Sequence, residues 1–229
     1  MLWIKAWLEI RWRLAFALAL ALSPLGGMYF KGMSSPEAVG RAVAFAAMLW
    51  VVTAVPLAGS GIKTQSPLQG TKGLQGSTQF TLALPVSRFR LLSVRAGVGL
   101  LAMCGVIMIS GTVAWALFPV LRANSTLSDF WRWIVTVCCC AAGLHALSIL
   151  ASTVLDEYWQ VWATMITVGV LKLLTIQFPP PSSVDVFRVL AEGSPLQTHS
   201  LPWPMIAVSL GSGAVAFLVA VRVADSCEY

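Results

Sequence analysis

Six apolar runs, at 14–30, 42–62, 96–121, 133–155, 158–178 and 202–221, constrain this chain more than any other feature. Crossing a bilayer takes about 20 apolar residues in helical form. Lipid offers backbone N–H and C=O groups no partner, so each run must satisfy its own, which a helix does. Only 10% of the 229 residues are charged and the mean hydropathy is +0.81, where a soluble domain carries about 25% charged residues. The sequence therefore predicts an all-α integral membrane protein, one transmembrane domain of six transmembrane helices over 1–229. The first run is short and holds Pro24, Gly26 and Gly27, so irregularity is expected at its outer end.

Basic residues orient such a chain, because they accumulate on the cytoplasmic side. With the N-terminus inside, the cytoplasmic flanks carry Lys5, Arg11, Arg13, Lys63, Lys72, Arg88, Arg90, Arg95 and Arg222. The outer flanks carry Lys31, Arg41, Arg122, Arg132 and Arg188, and Lys172 lies within a run. Both termini are expected in the cytoplasm of a cell membrane. The net charge of +6 flanks apolar runs and forms no basic patch with interleaved aromatics, so membrane lipids are the expected partner and nucleic acid is not.

Residues 1–13 precede the first run. On a helix Trp3, Trp7 and Ile10 share one face, with Ile4 and Leu8 beside them, while Lys5, Glu9 and Arg13 lie opposite at i, i+4 spacing. This pattern predicts an amphipathic helix lying in the interface. A basic start followed by LAFALALAL also fits a signal peptide, but the tryptophans favour the interfacial helix. The longest outer connection, 179–201, opens with three prolines. Ser182 with Asp185 reads as a capping box, and 184–192 as a short helix stopped by Gly193.

The longest polar stretch, 63–95, holds five basic residues and no acidic one. Its first half is rich in Gly, Ser, Thr and Gln, which favour turns. Residues 75–84 read as a short cytoplasmic helix that Pro85 ends. Phe80 and Leu84 stand at i, i+4, the spacing with which an amphipathic helix enters a partner's groove. Gln75, Gln79, Phe80, Leu84 and Arg88 are the candidate partner contacts.

No catalytic set emerges. The stretch GTKGLQGST at 70–78 does not meet the phosphate-loop pattern, since no Lys stands between a Gly and a Ser or Thr. Cys138, Cys139 and Cys140 point about 100° apart on a helix and cannot converge on one metal ion. His145 and Lys172 are ionisable groups within apolar runs and are the candidate substrate-path residues. A packed, hydrogen-bonded His145 and a Lys172 that snorkels to the interface are the plainer readings.

Leu84-Pro85-Val86-Ser87-Arg88, followed by Phe89-Arg90-Leu91-Leu92, resembles a motif of the permease subunits of ABC transporters of the type-2 exporter superfamily. In that family it links a coupling helix to the third span. Gly76-Ser77-Thr78-Gln79-Phe80 stands where many members read Gly-Thr and then an acidic residue; here the position holds Gln79. The resemblance implies a dimer, as homodimer or paired permease, of six-helix units, each docked on an ATP-binding subunit. It implies that ATP and Mg are bound by that partner and not by this chain, and that the substrate path runs near the second and fifth spans. Ala42, Ala44, Ala46, Ala47, Ala54 and Ala58 of the second run are small residues that allow close helix approach, and part of this face is expected at a subunit interface. A membrane scaffold or regulatory subunit that transports nothing is the alternative. A secondary transporter fits less well, since paired midplane charges are missing.

Cysteines placed at Ser66 and Ser183 in a background without native cysteines are expected to react with an impermeant maleimide from opposite sides of the membrane. Labelling of both from one side contradicts the orientation.

Overall fold

The computed structural model describes residues 2–30, 35–58, 87–155, 157–181, 183–191 and 194–226. Among these the chain is all-helical: α1 Leu2–Phe30, α2 Pro36–Val52, α3 Ala54–Leu57, α4 Arg88–Leu117, α5 Pro119–Asn124, α6 Leu127–Val154, α7 Glu157–Gln177, α8 Val186–Ala191, α9 Pro195–Thr198 and α10 Trp203–Ser226. Six segments are long and apolar enough to cross a membrane: α1, α2 with α3, α4, α6, α7 and α10. The chain is a multi-pass membrane protein. The end of the bundle that holds Ala58 and Ser87 is called the loop end below, and the opposite end the far end.

Polar side chains, more than hydropathy, set where the helices start. The second span begins at Pro36, not 42: Ser35 Oγ accepts the Ala38 N–H at 3.3 Å and proline occupies the first turn. The third begins at Arg88, not 96, because Ser87 Oγ accepts the Arg90 N–H at 3.3 Å. The fourth begins at Leu127, not 133, with Thr126 and Asp129 in a reciprocal capping box. Pro119 pushes Phe118 out of the α region and so ends α4. Asp185 Oδ1 accepts the Phe187 and Arg188 N–H groups and starts α8, shorter than the 184–192 expected; Ser182 lies outside the described residues.

The first helix is continuous over 29 residues, through Pro24 and both glycines. No break sets 1–13 apart as a separate interfacial helix. At 1.5 Å per residue α1 is about 43 Å long against a hydrocarbon core of about 30 Å, so it extends beyond the core. Ala6, Ile10, Ala17, Ala21, Leu25 and Met28 form its buried stripe, at the three- and four-residue steps of one helix face.

Helix α6 is the central post, in contact with α2, α3, α4, α7, α9 and α10. Its closest partner is α10. A Cβ on Gly143 would lie 2.8 Å from the Ser209 carbonyl oxygen, and one on Gly213 would lie 3.2 Å from the Gly143 Cα. Small residues allow this backbone approach, as is common between membrane helices. Trp50 and Trp133 are fully buried with ring centroids 5.3 Å apart, and Trp50 Nε1 donates to the Ala21 carbonyl at 2.9 Å. This ties α2 to α1 and α6. Ala46, Ala47, Ala54 and Ala58 are all buried within the chain, so this part of the second span serves its own core and is not the subunit face expected. Helix α7 lies at the margin, with Trp159, Ile166, Leu173 and Ile176 exposed, which suits contact with lipid.

Gly143→Ala is expected to destabilise the protein by about 1–3 kcal/mol through overpacking against α10. Gly211→Ala, where a Cβ meets nothing within 4 Å, serves as control and should leave thermal unfolding in detergent unchanged. Equal behaviour of the two variants contradicts the packing described.

Candidate functional site

The second span stops in an unusual way. Its helix breaks at Thr53, whose Oγ1 turns back to the Trp50 carbonyl at 2.6 Å. Pro56 brings no N–H, so the usual donor to the Val52 carbonyl is missing. A single turn, α3, then closes the span. A helix end leaves its last carbonyls without intrahelical donors. Here side chains of other spans supply them. His145 Nδ1, on α6, lies 3.2 Å from the Ala54 carbonyl oxygen. Ser148 Oγ, one turn on, donates to the Val55 carbonyl at 3.4 Å. Arg13 Nη1, on α1, donates to the Pro56 carbonyl at 3.4 Å, placing a cation at the negative end of the helix dipole. Gln160 Nε2, on α7, donates to Ser148 Oγ at 3.1 Å. The Leu57 carbonyl packs on Gly99 of α4 so closely that a Cβ there would lie 2.5 Å from the oxygen and 2.6 Å from the His145 ring.

Five spans therefore meet at one polar node. His145, Ser148 and Gln160 are each at most 2% exposed. The Ala54 carbonyl can only accept, so this contact is a hydrogen bond in the tautomer that carries its proton on Nδ1. The His145 Nε2 and the Gln160 Oε1 are buried and reach no hydrogen-bond partner among the described residues. In sequence, residues 59–86, which include most of the polar stretch, connect Ala58 at the node to Ser87 before α4.

The candidate residues fall in different places. Gln75, Gln79, Phe80 and Leu84 lie outside the described residues, and Arg88 is the first residue of α4. His145 is in the node, packed and hydrogen-bonded. Lys172 is exposed on α7, with its Nζ 4.7 Å from the centroid of the Phe187 ring on α8, a cation–π distance. It stands 12 residues beyond Gln160, about 18 Å along the helix. The structure does not bring His145 and Lys172 together. Arg13, Pro56, Gly99, Ser148 and Gln160 were not anticipated. Pro56 in the second apolar run and Gln160 at the start of the fifth were the available signals.

A second polar group fastens the far end. Asp129 accepts from Thr126 Oγ1 at 2.6 Å, Arg132 Nη1 at 3.2 Å and His199 Nδ1 at 2.7 Å, while Arg132 Nη1 also donates to the His199 carbonyl at 2.6 Å. His199 sits at φ 53°, the left-handed region, at the end of α9. The group holds the end of α9 on α6. No described hydroxyl lies in hydrogen-bond contact with His199 Nε2, so no nucleophile–base pair forms there. Cys140 Sγ contacts Met205 Sδ at 3.2 Å, and among the described residues no three His, Cys, Asp or Glu side chains gather as a metal site.

Comparison of the chain with protein-family models, with curated proteins and with solved structures gives no match. The fold defines the class: a six-span, all-helical membrane protein whose spans converge on the broken end of the second.

His145→Leu removes the donor to the Ala54 carbonyl and leaves it buried and unpaired, which costs about 1–3 kcal/mol. A lower thermal midpoint is expected for His145→Leu and no change for Cys139→Ser, on a half-exposed position of the same helix. An unchanged midpoint for both removes His145 from the capping role.

Proposed function

We propose that the chain is the membrane-spanning permease half of an ATP-driven ABC exporter. The carrying observation is the basic stretch 63–95 between the second and third spans, with its Leu84-Pro85-Val86-Ser87-Arg88 motif. The node supports this reading. In sequence the stretch links the end of α3 to Ser87, the N-cap of α4. These two helices touch at Leu57 and Gly99. A push or pull on the stretch thus acts on both ends of a polar knot that binds α1, α3, α6 and α7. Interior polar networks of this kind have discrete arrangements instead of deforming smoothly, which suits a device that switches between conformations.

In this proposal residues 75–84 dock as a helix in a groove of an ATP-binding subunit. Phe80 and Leu84 anchor it, Gln75 and Gln79 lie alongside, and Arg88 and Arg90 sit at headgroup level. ATP and Mg belong to that partner, which supplies the hydrolysis, and this chain carries no catalytic residue of its own. The termini and the stretch face the cytoplasm. A second permease copy or a paired permease completes the transporter.

Phe80→Asp places a charge in the proposed groove, where burial without a partner is costly. The variant should reach the membrane in normal amount, since the change lies outside every span, and should no longer co-purify its ATPase subunit. A Phe80→Asp protein that keeps the ATPase and its substrate-stimulated hydrolysis refutes the coupling role. A wild-type chain that co-purifies no ATPase from its native membrane favours the scaffold reading.

A further inference from the structure

The far end of the bundle contains a cavity of about 300 Å³ between α2, α5, α6, α8 and α9. It lies away from the node and shares no lining residue with it. Its volume is at the lower end of the range of small-molecule sites. Its walls are apolar: Val39, Val43, Leu121, Trp133 and Leu190 are each at most 8% exposed. The polar side chains around it are one carboxylate, Glu37, and the neutral Asn124, Ser125, Ser194 and Gln197. Glu37 is a carboxylate, and it makes no hydrogen bond or ion pair with any described residue. Asn124 Nδ2 donates one of its two N–H groups to the Val120 carbonyl at 3.0 Å, and its Oδ1 remains an acceptor. Ser125 gives its hydroxyl proton to the Leu121 carbonyl at 2.6 Å, which leaves its lone pairs. Among the described residues no Lys or Arg lines the cavity. The N-terminus of α2, which otherwise favours anions, is already met by Ser35 and by Glu37 itself.

We infer that this cavity binds a small organic cation, an ammonium group carried on a compact apolar body. The ammonium offers three N–H donors and a positive charge to Glu37, Asn124 Oδ1 and Ser125 Oγ, and the body fills the Val39–Trp133–Leu190 floor. An anion of the same size meets the Glu37 carboxylate, with no Lys or Arg among the described lining residues to offset it. A neutral alcohol meets one acceptor at a time and forgoes the charge-assisted bond, the stronger kind.

The test uses the full chain in lipid nanodiscs and three probes followed by fluorine NMR line broadening: 4-fluorophenethylammonium, 4-fluorophenethyl alcohol and 3-(4-fluorophenyl)propanoate. Empty nanodiscs give the partition baseline. The wild type should bind the ammonium about tenfold more tightly than the alcohol, equivalent to 1.4 kcal/mol, and the propanoate no more than empty discs do. Glu37→Gln, a surface change that leaves the walls intact, should bring ammonium and alcohol to equal affinity. Gly40→Leu should abolish both, since Gly40 lines the cavity and a Cβ there meets nothing within 4 Å. Equal binding of ammonium and alcohol by the wild type overturns the inference, as does an ammonium preference that survives Glu37→Gln. Binding that is unchanged in a folded Gly40→Leu protein overturns the location.

Discussion

A membrane helix that ends within the bundle must find donors for its last carbonyls on other helices, because neither lipid nor the helix itself provides them. The rest of this structure is arranged around that requirement at the end of the second span. Pro56 prevents the helix from running on regularly, and the carbonyls of Ala54, Val55 and Pro56 take hydrogens from His145, Ser148 and Arg13. The donors come from two other helices, and a third adds Gln160 behind Ser148. Satisfying one helix end therefore fixes the relative positions of α1, α3, α6 and α7. Gly99 is the steric counterpart: only a residue without a Cβ lets α4 approach the Leu57 carbonyl and the His145 ring together.

The remaining packing is of two kinds. Where helices must meet closely, small residues let them, as at Gly143 and Gly213 between α6 and α10. Where a polar group enters the interior, it is tied to a backbone carbonyl or to a charged neighbour. Trp50 on the Ala21 carbonyl and Asp129 among Thr126, Arg132 and His199 are the main cases. Lipid contributes little attraction between apolar faces, so these polar ties and close contacts carry much of the specificity. The far-end ties hold α9 in place, and the cavity that we assign to an organic cation borders the same helix.

Much of the architecture was legible in the sequence, because long apolar runs leave a chain few options. Six spans and an all-α fold followed from hydropathy alone. Span boundaries were displaced wherever capping side chains outweighed hydropathy. Ser35, Ser87 and Thr126 each start a helix six or more residues before the apolar run begins. The node was barely legible. Its donors are scattered over the chain from Arg13 to Gln160, and the acceptors are backbone carbonyls, which no residue pattern reveals. Pro56 alone hinted that the second span ends early. His145 was singled out correctly as an interior polar residue, but its partner, 91 residues away, had no signature. The alanines of the second span were assigned to a subunit face because small residues permit close approach in either setting; here the chain's own helices occupy it.

The capping of the second span can be tested without reference to function. The chain has two histidines, so ring-¹⁵N labelling gives few signals, and ¹³C labelling of alanine carbonyls places a reporter at Ala54. A solid-state NMR transfer experiment in lipid should connect the His145 Nδ1, in its protonated form, to an alanine carbonyl at hydrogen-bond range. The cross-peak should vanish in Ala54→Gly and in His145→Leu. A His145 ring that shows no such contact in the wild type, or a cross-peak that persists in Ala54→Gly, contradicts the closure of the second span by the fourth.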